Sequence, residues 1–327
     1  MPPARFRSVL EANQIPVYLG AVLLAFLAAW ALPATRVLSA AIDPLIAVML
    51  FVTFLQVPMS DLRRAMVNVR FVGTLAAANF IVVPILVACL LPWVPDDPLI
   101  RIGFLLVVLT PCIDYVVTFA HLGRADARSL LASTPFLLAG QMLMLPLYLG
   151  IFLGDEARGL VRWEPFAQAF VWLIAVPLAL AAACQAWAQR SASGARATEW
   201  LGAMPVPATA AVLAVVVAAI TPELGLALNA VRQVAPVYAA YAALAPVVGW
   251  AIAGMGRLPP AQKLAAAFST ATRNSLVVLP LGLAIPGAVP VLPAVIVTQT
   301  LIELMAELLY VNIAVRKRLG QRRPGNG

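Results

Sequence analysis

Four ionisable side chains lie inside long apolar stretches of this sequence: Asp114, Arg273, Glu303 and Glu307. At the centre of a bilayer each would cost at least about 2.5 kcal/mol even on a lenient insertion scale, which makes each a functional candidate. Glu303 and Glu307 are four residues apart and share one face of a helix. Three acids against one base leave two carboxyls without a cationic partner. Burial favours the neutral form of such a group, which is the chemistry of a proton carrier. Two arrangements are open for Arg273: a static network in which Asp114 or Glu303 neutralises it, or a place in a substrate site. Cys112 follows Pro111 in the stretch LVVLTPCIDYVVTF. A proline there removes a backbone donor and clashes with the preceding turn, so the helix should kink or unwind. A thiol at unwound backbone is a soft ligand for a substrate. Cys89 and Cys184 read as small buried hydrophobes. The three cysteines show no paired spacing, so neither a disulfide framework nor a zinc site is indicated. His121, the only histidine, reads as interfacial, with a proton relay as its alternative role.

The elements that must hold these groups are membrane spans. Of the 327 residues 63% are hydrophobic, 11% are charged and the mean hydropathy is +0.95. A soluble globule could not hide that much apolar surface with so few charges outside, so a cytosolic enzyme, a disordered chain and a nucleic-acid binder are excluded. Ten runs are long enough to cross about 30 Å of hydrocarbon as helix. They fall near 15–32, 40–59, 71–91, 102–122, 130–150, 166–186, 200–220, 234–255, 264–285 and 291–315. The first follows Arg5 and Arg7 but is long for a signal peptide, and is read as a retained helix. With ten spans, sixteen of the 22 lysines and arginines fall on one side and four on the other, with Arg232 and Arg273 near or inside spans. That asymmetry assigns both termini to the cytoplasm of a bacterial-type plasma membrane, including a basic tail at 316–327. Residues 1–327 then form a single integral membrane domain.

The chain also resembles itself. Asp61-Leu62 precedes Arg70 by nine residues, Glu223-Leu224 precedes Arg232 by the same interval, and each arginine leads into a span with a late proline, Pro84 or Pro246. The offset is 162 residues. Repeats over about 15–150 and 166–315 would each hold five spans and so lie inverted in the bilayer, the pattern of transporters that bind substrate where broken helices meet. Spans 4 and 9 are the candidates for breaks. Span 9 reads AAFSTATRNSLVVLPL, with seven small or polar residues from Ser269 to Ser275. Freed backbone at membrane depth is tolerated only where it is buried in protein or lines a cavity.

These residues resemble the bile acid:sodium symporter superfamily and, within it, the arsenical-resistance branch of arsenite efflux permeases. Thr110-Pro111-Cys112 with Gly123-Arg124-Ala125-Asp126 is similar to the permeases' Pro-Cys motif and the polar turn after it. Leu301-Ile302-Glu303 with Val311-Asn312 is similar to their Leu-x-Glu helix, and Phe268 through Asn274-Ser275 to the superfamily's crossing-helix motif. The resemblance implies that Cys112 is the thiol needed for arsenite and Glu303 the functional glutamate. It also implies a core of spans 3–5 and 8–10 around the crossing of spans 4 and 9, with spans 1, 2, 6 and 7 as a panel. The motifs depart at three points. Arg273 and Ser269 stand where the sodium symporters place a sodium-liganding Gln and Glu, which implies that sodium coupling is lost. Ser275-Leu276 replaces a permease carboxylate. Asp114 is an acid that the Pro-Cys motif does not usually include.

The expectation is therefore an all-α polytopic transporter, not an enzyme. It would export arsenite or a similar metalloid oxyacid in exchange for protons, without a cofactor and without nucleic acid as a partner. Pro111, Cys112, Asp114, Arg273, Asn274, Ser275 and Glu303 would bind substrate, with Cys112 as the metalloid ligand. Glu303, Asp114 and Glu307 would move protons. The alternative is a carboxylate or sulfonate transporter in which Arg273 pairs the anion. A receptor on the same fold lacks an output domain, and a channel fits broken helices in inverted halves less well than a carrier. Nothing in the sequence sets an oligomeric state.

Overall fold

The computed structural model describes residues 3–56, 68–113, 115–154, 168, 170–283, 285 and 287–321. Among them the chain is almost entirely helical, and the one β-type contact is an isolated antiparallel bridge between Pro111 and Arg273. The helices are α1 (Pro3–Ala12), α2 (Gln14–Ala31), α3 (Ile42–Phe54), α4 (Val69–Ala77), α5 (Val83–Leu90), α6 (Pro98–Val108), α7 (Tyr115–Leu122) and α8 (Ala127–Leu153). They continue as α9 (Val176–Ala188), α10 (Ala192–Leu201), α11 (Pro205–Ile220), α12 (Leu224–Met255), α13 (Pro260–Ala271), α14 (Ser275–Leu283) and α15 (Val291–Gln321).

Six segments among the described residues are long and apolar enough to cross a membrane: Gln14–Ala31, Val37–Phe54, Val69–Trp93, Ala127–Leu153, Ala227–Met255 and Val291–Arg316. A seventh is formed if α10 and α11, bent by 43°, count as one span. Their outer faces carry large apolar side chains, with Leu24 68%, Trp30 76% and Trp93 77% exposed. Such surfaces belong against lipid. The chain is a multi-pass membrane protein. The expected runs at 102–122 and 264–285 are each split in two, as α6/α7 and α13/α14, at the sites where the sequence places its breaks. Cys89 and Cys184 need correction: Cys89 is exposed and Cys184 half-buried. Cysteine in an apolar run faces lipid as readily as protein, because hydrocarbon costs it nothing.

The contacts divide the chain into two compact units. The first comprises Met1–Ser60, Arg158–Ala230 and Leu276–Val297. Its centre is α11 against α2 and α3, where the small residues Ala25, Ala29 and Ala218 let backbones approach. Thr35 Oγ1 donates to the Ala218 carbonyl at 2.8 Å across that contact.

The second unit comprises Asp61–Ala157, Val231–Ser275 and Thr298–Gly327. Three of its helix starts have side-chain caps: Asn68 accepts from the Phe71 N–H ahead of α4, Asp97 from the Leu99 and Ile100 N–H groups ahead of α6, and Asp126 from the Ser129 N–H ahead of α8. Between α4 and α5 the helix widens into a π turn, Ala78–Val82, just before Pro84. Pro84 has no N–H to give the Phe80 carbonyl one turn back. The Tyr148 hydroxyl donates to that carbonyl instead. The same arrangement recurs in α12. Pro246 deprives the Ala242 carbonyl of its donor, and the Tyr310 hydroxyl supplies it. Each member of the second set lies 162 residues after its counterpart in the first. Tyr148→Phe is expected to destabilise the protein by about 1–3 kcal/mol, the cost of a buried acceptor left without a donor. Pro84→Ala in that background should recover part of the loss, because alanine returns an N–H. Thermal unfolding of the purified variants checks both.

Candidate functional site

Within the second unit α6 ends at Val108 and α7 begins at Tyr115; α13 ends at Ala271 and α14 begins at Ser275. The two interrupted backbones pair antiparallel. The Cys112 N–H donates to the Thr272 carbonyl at 3.1 Å, and the Asn274 N–H to the Thr110 carbonyl at 2.8 Å. Pro111 and Arg273 face each other at the centre as a pair that exchanges no hydrogen bond with itself. That geometry explains why a proline is tolerated there: the position needs no N–H. Each break satisfies the donors and acceptors that the other has freed, as non-helical backbone at membrane depth requires. Residues 111 and 273 are again 162 apart.

The Arg273 N–H points away from the bridge and donates to Glu303 Oε2 at 2.7 Å. The other Glu303 oxygen accepts from the Tyr115 hydroxyl at 2.7 Å, and Gln299 Nε2 donates to Oε2. One turn on, Glu307 Oε1 accepts from Thr272 Oγ1 at 2.5 Å, while Glu307 Oε2 has no partner. The two glutamates therefore lie on one face of α15, as their spacing predicts, and engage consecutive residues of the α13 break. Both are buried.

The Arg273 side chain is fully buried. Nη2 donates to Asn79 Oδ1 at 2.8 Å and to the Ser269 and Thr270 carbonyls at 2.7 and 2.6 Å; Nη1 reaches the Val108 carbonyl at 3.4 Å. The guanidinium carbon lies 5.7 Å from the centre of the Tyr241 ring, whose hydroxyl donates to the Thr270 carbonyl at 2.8 Å. Glu303 thus hydrogen-bonds Arg273 through its main chain, and among the described residues the guanidinium's hydrogen-bond partners are neutral oxygens, with an aromatic face beside it. This corrects one form of the static network, a direct ion pair between Glu303 and the Arg273 side chain. Asp114, the other expected partner, lies outside the described residues.

Of the other expected residues, Cys112 is buried with its N–H in the bridge. Ser275 Oγ accepts from Thr300 Oγ1 at 2.7 Å. Asn274 is buried with both amide atoms unpartnered. His121 is exposed, consistent with an interfacial place. Sequence reasoning missed Asn79, Tyr115, Tyr241, Thr272 and Gln299. Gln299 carried a signal, four residues before Glu303 on the same face. Tyr115, just past the break, carried a weaker one. Asn79 and Tyr241 come from other helices, and nothing local marked them. Thr270 is locked by its hydroxyl donating to the Ala245 carbonyl at 2.9 Å; any side chain on Gly249 would collide with it.

No curated protein matches the chain. A family model described as Sodium Bile acid symporter family matches residues 43–227, more than half of the sequence. The matched stretch contains Asn79, Pro111, Cys112 and Tyr115 and ends before Arg273 and Glu303. With an apolar multi-helix chain and paired helix breaks already in view, the match makes this protein a member of the sodium bile acid symporter family, whose members are transporters rather than enzymes.

Proposed function

We propose that this protein is a secondary active transporter of the arsenical-resistance branch, exporting arsenite or a similar metalloid oxyacid in exchange for protons. The observation that carries the reading is the shared crossing. The backbone of Cys112, a soft ligand, and the backbone of Arg273, which holds Glu303, belong to the same two-bond bridge. Substrate chemistry on the thiol and proton chemistry on Glu303, Glu307 and Asp114 would then be mechanically linked. Pro111, Asn274 and Ser275 complete the binding surface, with the unpartnered Asn274 amide free to bond a substrate hydroxyl.

The ten-span inverted arrangement, with both termini in the cytoplasm, is part of the same proposal. Three features support it: the two Pro–Tyr caps at one offset, the bridge between residues at that same offset, and the division of contacts, which groups 61–157 with 231–275 and 298–327. The last follows the expected core of spans 3–5 and 8–10 in part; 276–297, the second half of span 9 and the start of span 10, groups with the first unit instead. Loss of sodium coupling is proposed from the Arg273 side chain. Asn79 Oδ1 and the Ser269 and Thr270 carbonyls surround Nη2 as they would a bound cation.

The test is accumulation of radiolabelled arsenite in everted vesicles, with and without a proton gradient or sodium. The expected result is proton-dependent, sodium-independent uptake that Cys112→Ser removes at equal expression, because a hydroxyl is a poor ligand for a soft metalloid. Uptake unchanged in Cys112→Ser would sink the arsenite reading. The organic-anion alternative keeps one supporting observation, the unpartnered Arg273 Nε. Against it, both terminal nitrogens are already held by internal oxygens. Carboxylate or sulfonate uptake that survives Cys112→Ser and fails in Arg273→Gln would favour that alternative.

A further inference from the structure

Away from the crossing, the second unit carries an apolar cavity of about 870 Å³. Val247 and Trp250 of α12, Leu264 and Phe268 of α13, and Leu309 and Ile313 of α15 line it. Phe268 and Tyr310, also in the lining, meet edge to face with centroids 6.4 Å apart. The Tyr310 hydroxyl is spent on the Ala242 carbonyl, so its ring adds apolar surface to the lining. On the side away from the crossing, the elements that line the cavity carry basic residues close in sequence to the lining: Arg257 after α12, Lys263 in the first turn of α13, and Arg316 two residues past Ala314 in α15. Lys263 leans back on α12, its ammonium 3.8 Å from where a Cβ on Gly254 would stand. Arg257 and Arg316 are exposed. The acid beside the start of α13, Asp126, is engaged by neutral donors: its carboxylate accepts from the Ser129 N–H and hydroxyl and from Gln262 Nε2.

We propose that this cavity is a binding site for an anionic phospholipid. One acyl chain would lie between Trp250, Leu264 and Ile313, with the phosphate among Lys263, Arg257 and Arg316. An apolar groove flanked by spans must be filled by something as apolar as a lipid tail. The basic rim selects which headgroup comes with it, since clustered cations at a membrane face attract anionic lipid. The proposal does not depend on the transported substrate.

Trp250 reports occupancy directly. The full-length protein and its Trp250→Phe variant are placed in phosphatidylcholine vesicles containing phosphatidylglycerol, with bromine on the acyl chains of one lipid or the other. The fluorescence lost in Trp250→Phe isolates the reporter. The expected result is quenching by brominated phosphatidylglycerol about tenfold more effective, mole for mole, than by brominated phosphatidylcholine. That preference should fall to near parity in Lys263→Gln/Arg316→Gln and persist in Arg190→Gln, which changes a charge in the other unit. Equal quenching by the two lipids in the unmodified protein would overturn the proposal, as would a preference unchanged in the double variant. Displacement of phosphatidylglycerol by free inorganic phosphate would also overturn it, assigning the rim to the ion alone. Quenching by neither lipid, with the protein running as a dimer, would assign the groove to a second copy.

Discussion

Arg273→Gln lowers the unfolding temperature of the purified protein by roughly 10 °C and abolishes transport; this is the largest single-residue effect expected in the chain. The side chain is fully buried and reaches four oxygens, Asn79 Oδ1 and the carbonyls of Ser269, Thr270 and Val108. Glutamine is shorter and has only one amide nitrogen, so most of these acceptors lose their donor. A buried acceptor left bare costs about 1 kcal/mol or more, which sums to about 4 kcal/mol if all four are lost. Ser269 and Thr270 belong to the last turn of α13, so their release also loosens the break that pairs with Thr110 and Cys112. Thermal unfolding followed by size-exclusion fluorescence in detergent measures the first effect and vesicle uptake the second. A further measurement separates a resident cation from a merely structural residue. Sodium, compared with choline, should restore part of the lost stability in Arg273→Gln and leave the unmodified protein unchanged. The opposite pattern, sodium stabilising only the unmodified protein, would show that the guanidinium does not occupy the cation site.

Glu303→Gln is expected to reduce gradient-driven uptake to background while leaving the fold recognisable. The carboxylate accepts from Tyr115 on one oxygen and from the Arg273 N–H and Gln299 on the other. A glutamine can still accept from Tyr115, but its NH₂ then faces two donors, so a modest loss of stability accompanies the loss of function. More important, an amide cannot take up and release a proton. Glu303→Asp, which keeps the carboxyl on a shorter stem, should retain a fraction of proton-driven uptake and so separates chemistry from folding. Full proton-driven uptake by Glu303→Gln would remove Glu303 from the coupling mechanism and leave Glu307 and Asp114 as its candidates.

The most local features were the most readable. Pro111 inside an apolar run predicts a break, because a missing N–H and a ring clash act within one turn, and α6 does end before it. The run of small polar residues from Ser269 to Ser275 predicts the second break in the same way. Four-residue spacing puts Glu303 and Glu307 on one helix face wherever that helix packs. Two other readings turned on neighbours that spacing does not supply. Arg273 invited Asp114 or Glu303 as a carboxylate partner; among the described residues its guanidinium is held by Asn79 and by carbonyls at the helix breaks, and Glu303 takes the main-chain N–H. Cys89 invited burial, but its helix turns that face outward.

The sequence by itself determined that the chain crosses a membrane, where two helices break, and that Glu303 and Glu307 share one helix face. Each of these follows from composition or from interactions within a turn or two. Tertiary structure decided what the breaks do: they pair with each other, so that the backbone on either side of Pro111 is satisfied by Thr272 and Asn274, about half the chain away. It also decided which groups surround Arg273. Asn79 and Tyr241 come from helices distant in sequence, and a buried donor takes whichever acceptors packing brings within 3 Å, a choice that no spacing along one chain segment encodes.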